Sequence, residues 1–339
     1  MANDVKVVIE LSKAQPRGGF GFPLIFAGKQ STAVAYKEVS SLSEVKTAGF
    51  EETTDVYKAA ELLFMQDNAP SKIAVCASAD TAVSALPAIL DEGWRQLIVV
   101  STGTEGESDV EAVSEYIEAC KKPCVYFAHV ETDDTVTLEK IKGNERTVAV
   151  AYDTAASGDT KFPEAAVVGA TAGMTVGSFT YKNIILKGVK AQALADTAVE
   201  ALHTAGAITI LRKAGEIVTS EGITLSGEYI DIVDTQDYIV TQIEYQCQSL
   251  LNRVPKLPYD NRGIASLEGV VLSVLKDAAD NGMIAQSDEG EGYLYSVTFG
   301  ARADCDASDI SARAYNEGSF EFTLAGAIHT ATISGTIIA

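Results

Sequence analysis

Four short apolar segments, separated by helical patterns, place the strongest limit on the fold of this chain. They occupy residues 73–76, 97–100, 124–127 and 148–150. None of them alternates apolar with polar residues, as a strand with one exposed face would do. Continuous apolar strands that alternate with helices predict a parallel sheet covered on both faces. The first half of the chain is therefore predicted to be an α/β domain.

The loop after the second of these strands needs attention because of its position. Residues 103–106 lie between a strand and a helix, where a nucleotide-binding fold binds phosphate. The same stretch carries Glu105, Glu107 and Asp109, whose carboxylates would repel a phosphate. We interpret it as an acidic first turn that stabilises its helix.

From about residue 191 the pattern changes to an α+β order. A helix over residues 191–204 and a strand over residues 207–211 are followed by two longer amphipathic helices and a strand over residues 293–299. The predicted class is thus a parallel-sheet α/β domain plus an α+β second region, with extended β-strand arms at both termini. The predicted parts are residues 1–22 (linking arm), 23–205 (α/β domain), 206–318 (α+β core) and 319–339 (strand pair and linking arm).

Three aspartates, Asp231, Asp234 and Asp237, lie near the start of the first long helix. Capping of the helix N-terminus accounts for carboxylates in this position without any catalytic role. They are therefore predicted to be structural.

Both ends of the chain show the period of a half-buried strand. The apolar positions are Val5, Val7, Ile9 and Leu11 at the front, and Phe320, Phe322 and Leu324 near the other end, before a second alternating run that ends at Ile337. Unpaired backbone groups on such strands are a template for pairing with another chain. The alternative is that both ends pair inside their own sheet.

Composition excludes several classes of function. With 47 acidic against 26 basic residues, the net charge of −21 would repel a nucleic-acid backbone. No apolar run approaches the ~20 residues that cross a bilayer, and no signal core is found at the front. We therefore expect no nucleic-acid or membrane partner and synthesis in the cytoplasm.

The sequence contains none of the patterns that identify common catalytic sites. Nucleophile-elbow, phosphate-loop and zinc-protease motifs are missing, and the three histidines, His129, His203 and His329, are far apart. The five cysteines are an odd number at irregular spacing, which favours reduced, structural thiols. No enzyme activity, cofactor or metal site is predicted.

The order of segments resembles the sheath proteins of contractile phage tails. The segments that carry this resemblance are residues 19–25 (GFGFPLI), 57–60, 70–75, 227–231, 256–264, 281–284, 309–313, 324–329 and 333–337. Each is weak alone, but their order is fairly specific. The chain is short for the family, and a phage tail, a headless tail-like bacteriocin and a related injection machine remain alternatives.

The resemblance implies a function. In such sheaths, subunits form stacked six-fold rings around an inner tube, and terminal arms add strands to sheets in neighbouring subunits. An extended, metastable sheath then contracts and drives the tube through a target envelope. The implied partners are further copies of the chain, the tube protein, and baseplate and tail terminator proteins. The implied location is a virion tail or tail-like particle assembled in the host cytoplasm.

The resemblance also assigns roles to residues. It implies arm strands that link subunits, a sheet that receives them, and cations that face the tube. The linkage residues are Val5, Val7, Ile9, Leu11, Ile333, Thr336 and Ile337, the receiving sheet contains Phe320, Phe322 and Leu324, and the cations are Arg253, Lys256, Arg262 and Lys276. His329 is expected to be a structural residue of the receiving sheet.

Two other classes remain as alternatives. The repeated strand-helix units also fit an α/β enzyme or nucleotide-binding protein, although the acidic loop argues against phosphate binding. A tube or baseplate structural protein is the other alternative. An all-β tube subunit would lack the repeat at residues 73–150, so a tube subunit is disfavoured.

Overall fold

The computed structural model describes residues 20–100, 106–120, 122–157, 161–288, 290 and 292–331. These residues form an eight-stranded sheet and a separate two-stranded sheet. The large sheet consists of β1 (Phe22–Ala27), β2 (Val34–Val39), β3 (Ile73–Ala77), β4 (Trp94–Val100), β5 (Val125–Val130), β6 (Thr147–Ala151), β7 (Ala207–Lys213) and β8 (Glu216–Thr219). Their order across the sheet is β2-β3-β1-β4-β5-β6-β7-β8.

The six central strands, from β3 to β7 in that order, are parallel. The two outer strands, β2 and β8, are antiparallel to their neighbours. Every residue of β3 and β6 is buried, as a parallel sheet covered on both faces requires. The predicted α/β domain with a parallel sheet is thus confirmed.

Helices cover both faces of this sheet. The helices of the described residues are α1 (Leu42–Ala48), α2 (Asp55–Phe64), α3 (Ala82–Ala85), α4 (Gly106–Ala119), α5 (Thr135–Ile141), α6 (Thr154–Ser157), α7 (Pro163–Thr171), α8 (Asp196–Thr204), α9 (Ile230–Arg253), α10 (Asn261–Asp280) and α11 (Ala307–Ala312). One face packs on α1, α2, α7 and the start of α9. The other packs on α3, α4, α5 and α8. Among the described helices, none is long and apolar enough to span a bilayer.

A central strand, β1, was not predicted as a strand. It begins at Phe22, the last residue of the predicted arm, and contains Pro23, which cannot donate a hydrogen bond to a neighbouring strand. The register between β1 and β4 shifts between Phe22 and Leu24. Proline is therefore accommodated where the ladder is already interrupted by a bulge.

The large sheet also continues past the predicted domain boundary at residues 205 and 206. Strand β7 pairs with β6, and β8 pairs with β7, so both belong to the α/β sheet and not to a separate second region. The helix predicted from residue 191 begins only at Asp196. The helical hairpin and the small sheet, which form the second region, both follow Thr219.

The second region is a helical hairpin that supports the small sheet. Helices α9 and α10 were predicted from their apolar faces, and α10 ends at Asn281 and Gly282 as expected. Apolar residues of α9 and α10 form one cluster, on which the small sheet packs. This sheet consists of β9 (Tyr295–Phe299) and β10 (Gly318–Phe322).

Candidate assembly interface

The small sheet contains two of the three predicted receiving residues. Phe320 pairs with Val297, and Phe322 pairs with Tyr295, so all four lie on the same face. The rings of Phe320 and Phe322 are stacked with centroids 6.3 Å apart. Phe322 packs on the α9/α10 cluster, whereas Phe320 is 36% exposed. Leu324 follows β10 and is bridged to Ile284.

The two strands of this sheet leave edges that another strand can use. The described sheet has only β9 and β10, so each strand has one edge without a described strand beside it. Isolated two-stranded sheets are marginal in water, and here α10 provides the support on one face. A strand added along five residues makes roughly two or three backbone hydrogen bonds, because successive groups point to opposite edges. At about 0.5–1.5 kcal/mol each, the added strand gains a few kcal/mol.

The outer edges of the large sheet are less suitable for strand addition. At β2, the side chains of Lys37 and Glu38 are exposed and the register shifts between Val34 and Lys37. Charged side chains and bulges are common devices that protect an edge. At β8, residues 183–186 already bond to the backbone, including a bond of 3.1 Å from the Thr219 amide to the Ile184 carbonyl. Strand addition is therefore most favourable at the small sheet.

The four predicted cations are all exposed, but they do not form one cluster. Arg253 ends α9, Lys256 lies in the connection, and Arg262 lies in the first turn of α10. Lys276 lies roughly 21 Å further along α10, at ~1.5 Å per residue. Arg262 is also paired with Asp260 at 3.5 Å. Arg253 and Lys256 therefore contribute most of the positive charge at the tip of the hairpin.

A buried ion cluster joins the large sheet to the start of α9. One guanidinium nitrogen of Arg95 in β4 lies 2.6 Å from Asp234 Oδ1 and 2.9 Å from Asp237 Oδ2. Arg146 Nη1 contacts the same Asp237 oxygen at 2.5 Å. Tyr181 donates a hydrogen bond of 2.8 Å to Asp234 Oδ2. Such charge-assisted contacts are strong and fix the relative orientation of the elements that carry them.

The surroundings of Arg95 explain why phenylalanine and glycine occupy residues 20 and 21. Phe20 stacks over the guanidinium at 4.2 Å from the ring centroid. Gly21 has φ +101°, and a Cβ there would lie 2.6 Å from the Cβ of Arg95. Glycine is thus required at residue 21 both for its backbone conformation and for the close approach of β4.

Burial and charge act in opposite directions within this cluster. Burial raises the pKa of Asp234, and the charge of Arg95 opposes that rise. Burial and the nearby Asp234 raise the pKa of Tyr181 well above its usual range. Burial alone would lower the pKa of Arg95, but the two aspartates raise it, so the guanidinium stays charged.

The interpretation of Asp234 and Asp237 as helix caps is wrong, whereas Asp231 does lie in the first turn of α9. The N-cap of α9 is Tyr229, which makes no side-chain capping bond. Asp234 and Asp237 lie inside the helix and pair with Arg95, which is 2% exposed. Arg95 was not predicted as a site residue, although a lone charge inside the apolar strand Trp94–Val100 is a signal that a buried partner is needed.

The structure tests only part of the predicted arms. Val5, Val7, Ile9 and Leu11, and likewise Ile333, Thr336 and Ile337, lie outside the described residues. Residues 325–331 are described and contain no strand. His329 was expected in the receiving sheet, but it contacts Glu221 and Tyr229, which precede α9. The expectation that it belongs to the sheet is therefore wrong.

Several solved structures match this chain over almost its whole length. No protein-family model matches the sequence, and a search of curated proteins finds no significant relative. Among solved structures, a chain of the anti-feeding prophage baseplate matches with a TM-score of 0.75 at 15% identity, covering 100% of this chain and 99% of that one. The contracted helical sheath of the anti-feeding prophage matches with a TM-score of 0.74 at 15% identity, covering 99% of both chains.

A bacterial tail protein gives a further match. The sheath tail protein Lin1278 from Listeria innocua has a TM-score of 0.61 at 9% identity, and the match covers 91% of this chain and 96% of that one. Similarity over almost the whole length includes both the large sheet and the helical hairpin with its small sheet. This chain therefore has the fold of the sheath proteins of contractile tails and contractile injection systems.

Proposed function

We propose that this chain is a structural subunit of a contractile sheath that polymerises as stacked six-fold rings around an inner tube. The observation that carries the proposal is the match over 99% of both chains to a contracted helical sheath. In this role the chain is not an enzyme. It works by assembly, in a tail or tail-like particle that forms in the cytoplasm of the host bacterium.

The proposed assembly contact is strand addition at the small sheet. Arms that contain Val5, Val7, Ile9 and Leu11, or Ile333, Thr336 and Ile337, pair with the open edges of β9 and β10 in other copies. Phe320, Phe322 and Leu324 provide apolar contacts for the added strands. The division into arms, α/β domain and tube-proximal core is part of this proposal. The large sheet ends at Thr219, so the tube-proximal core begins after that residue.

Contraction in this proposal needs no nucleotide. Each added strand gains a few kcal/mol from backbone bonds and apolar burial, so the arms stay paired while the subunit bodies rotate. The driving free energy is the difference in body-to-body contacts between the extended and contracted arrays, summed over many subunits. A baseplate provides the signal that releases the extended state.

The first experiment removes residues 333–339 and examines the protein by negative-stain electron microscopy. The full chain should form helical cylinders, and the truncated chain should remain folded but form none. The matched control is Val136→Ser, which changes an apolar residue that is 67% exposed on α5, far in sequence from the small sheet. Cylinders that persist after the truncation would contradict arm exchange at this end.

A second experiment tests the proposed contact between the hairpin tip and an acidic tube. Reversing the charge of Arg253 and Lys256 to glutamate should reduce copurification of the tube protein, and the loss should be smaller at high salt. Lys276→Glu is the control, because it reverses a charge about 21 Å along α10 from Arg262 at the hairpin tip. Equal losses for tip and control variants would show that the tip has no specific role.

A further inference from the structure

The chain that follows the small sheet runs back to the body of its own subunit. Ala325 donates a backbone hydrogen bond of 2.9 Å to Met283, and Leu324 is bridged to Ile284. Beyond this point the segment makes little contact, and Ile328 is 91% exposed. The next side chain, His329, is only 15% exposed. One largely covered side chain in an otherwise exposed segment identifies a point of attachment.

The imidazole of His329 occupies a site formed by residues that precede α9. Its Nδ1 lies 3.3 Å from Glu221 Oε1. Its ring meets Tyr229 edge to face, with centroids 4.8 Å apart and an interplanar angle of 83°. Aromatic pairs of this geometry contribute beyond the area that they bury. The edge-to-face contact with Tyr229 therefore fixes the orientation of the imidazole, and the Glu221 carboxylate lies beside its Nδ1.

Glu221 is fixed in place independently of the histidine. Its second oxygen accepts a hydrogen bond of 2.6 Å from Lys182 Nζ, and its Oε1 accepts one of 3.3 Å from the Gly222 amide. Burial would raise the pKa of Glu221, but Lys182 and then the hydrogen bond from the Gly222 amide lower it below its usual value. The carboxylate thus stays ionised, and it presents Oε1 to the imidazole.

We propose that the site formed by Glu221 and Tyr229 is an anchor that binds His329 and holds the C-terminal segment on its own subunit. This inference rests on the proposed function, because it decides where the exchanged arm begins. Ile333 and Ile337 can extend at most ~14 Å and ~29 Å from the anchor, at ~3.3–3.6 Å per residue. Without the anchor the exchanged segment would begin near Ala325 and reach correspondingly further.

An anchored arm also has an entropic advantage. A short tether keeps the linkage residues at high local concentration near the neighbouring sheet, provided that its length matches the span. Release at His329 would spread the same residues over a larger volume. We therefore expect His329→Ala to raise the protein concentration needed for cylinders several-fold.

The anchor itself can be tested on unassembled protein by backbone ¹⁵N relaxation. In the natural chain, the amides of residues 328–330 should have order parameters near the rigid value of about 0.85, and His329→Ala should reduce them below about 0.6. Ile328→Ala is the matched control, because it shortens the adjacent exposed side chain and should leave the order parameters unchanged. Tyr229→Leu keeps the imidazole but removes the ring contact, and should give an intermediate loss.

The possible results separate the two proposals. If His329→Ala leaves the segment as ordered as before, or if Ile328→Ala disorders it equally, the anchor does not exist, whatever the assembly shows. If the segment loses order as expected but the natural chain forms no cylinders, the anchor stands and the proposed function fails. Thermal melting of each variant confirms that the measurement is made on folded protein.

Discussion

Replacing Arg95 with methionine tests whether the buried ion cluster holds α9 on the large sheet. Methionine, like arginine, has an unbranched side chain, but it carries no charge. The substitution therefore leaves Asp234 and Asp237, which are 3% and 6% exposed, without the cation between them. Removing one partner of a buried ion pair costs about 3–5 kcal/mol, because the remaining charge stays buried. Arg146 still contacts Asp237, so the uncompensated charge is mainly that of Asp234. We expect a loss of about 3–5 kcal/mol in the free energy of unfolding.

The loss should depend on pH in a defined direction. Folding raises the pKa of Asp234 above its ordinary value of 3.8, mainly through burial. A raised carboxyl pKa means that the folded state binds the proton more tightly, so stability falls as pH rises through the interval between the two values. Without Arg95 this interval extends to higher pH. The variant should therefore be closer to the natural protein at about pH 5 than at about pH 7.

Urea unfolding followed by tryptophan fluorescence gives a direct measurement. Trp94 is the single tryptophan of the chain, is buried, and is adjacent to Arg95 in β4. Lys46→Met is the control, because it removes the Lys46–Glu52 pair, whose side chains are 42% and 66% exposed. Exposed pairs contribute about 0–1 kcal/mol. If Arg95→Met costs no more than this control, or if its cost is the same at both pH values, the argument for the cluster is refuted.

Three further substitutions test single features of the fold by urea unfolding. Gly21→Ala should lower the free energy of unfolding more than Gly215→Ala. Both residues have positive φ, so alanine at either position adds backbone strain of about 1–3 kcal/mol, but only at residue 21 would the new Cβ lie 2.6 Å from another atom, the Cβ of Arg95. Equal losses for the two variants would exclude the steric explanation. Burial lowers the pKa of Lys122 to about 8, so between about pH 8 and pH 10 only the unfolded chain keeps the proton. The stability of the natural protein relative to Lys122→Met should therefore rise over this interval. A stability difference that does not change with pH would show that the pKa of this lysine is not lowered. Asp260→Ala removes the side-chain cap of α10 and should cost about 0.5–2 kcal/mol, a loss that Asp260→Asn should largely avoid.

The sequence was sufficient to predict the elements whose signal is local. The strands β3 and β6 are continuous apolar runs with both faces buried, and α10 has a regular apolar face and a glycine stop. In contrast, β1 follows a glycine-rich segment and contains Pro23, which are features that argue against a central strand. Its position was determined by the neighbours that it joins, not by its own composition.

The candidate interface could be predicted only in part, for a related physical reason. Alternation identified Phe320 and Phe322 as one face of a strand, and the structure places both in β10. The role of Asp237 could not be predicted, since its partner Arg95 is 142 residues away in the sequence. Likewise, the contact of His329 with Glu221 joins residues that no local pattern relates. Pairing between distant residues depends on topology, which a single sequence shows only indirectly.

The arrangement of these contacts indicates how a sheath subunit of this fold would transmit load. A pull on β9 and β10 passes to α10 and α9 through apolar packing. From α9 it passes to the large sheet through the cluster of Arg95, Asp234 and Asp237. Apolar contacts permit small sliding movements, whereas charge-assisted hydrogen bonds require a fixed geometry. The cluster therefore holds the start of α9 on the large sheet, and under the proposed function it would let the subunit body rotate as a unit instead of bending the helical hairpin away from the sheet.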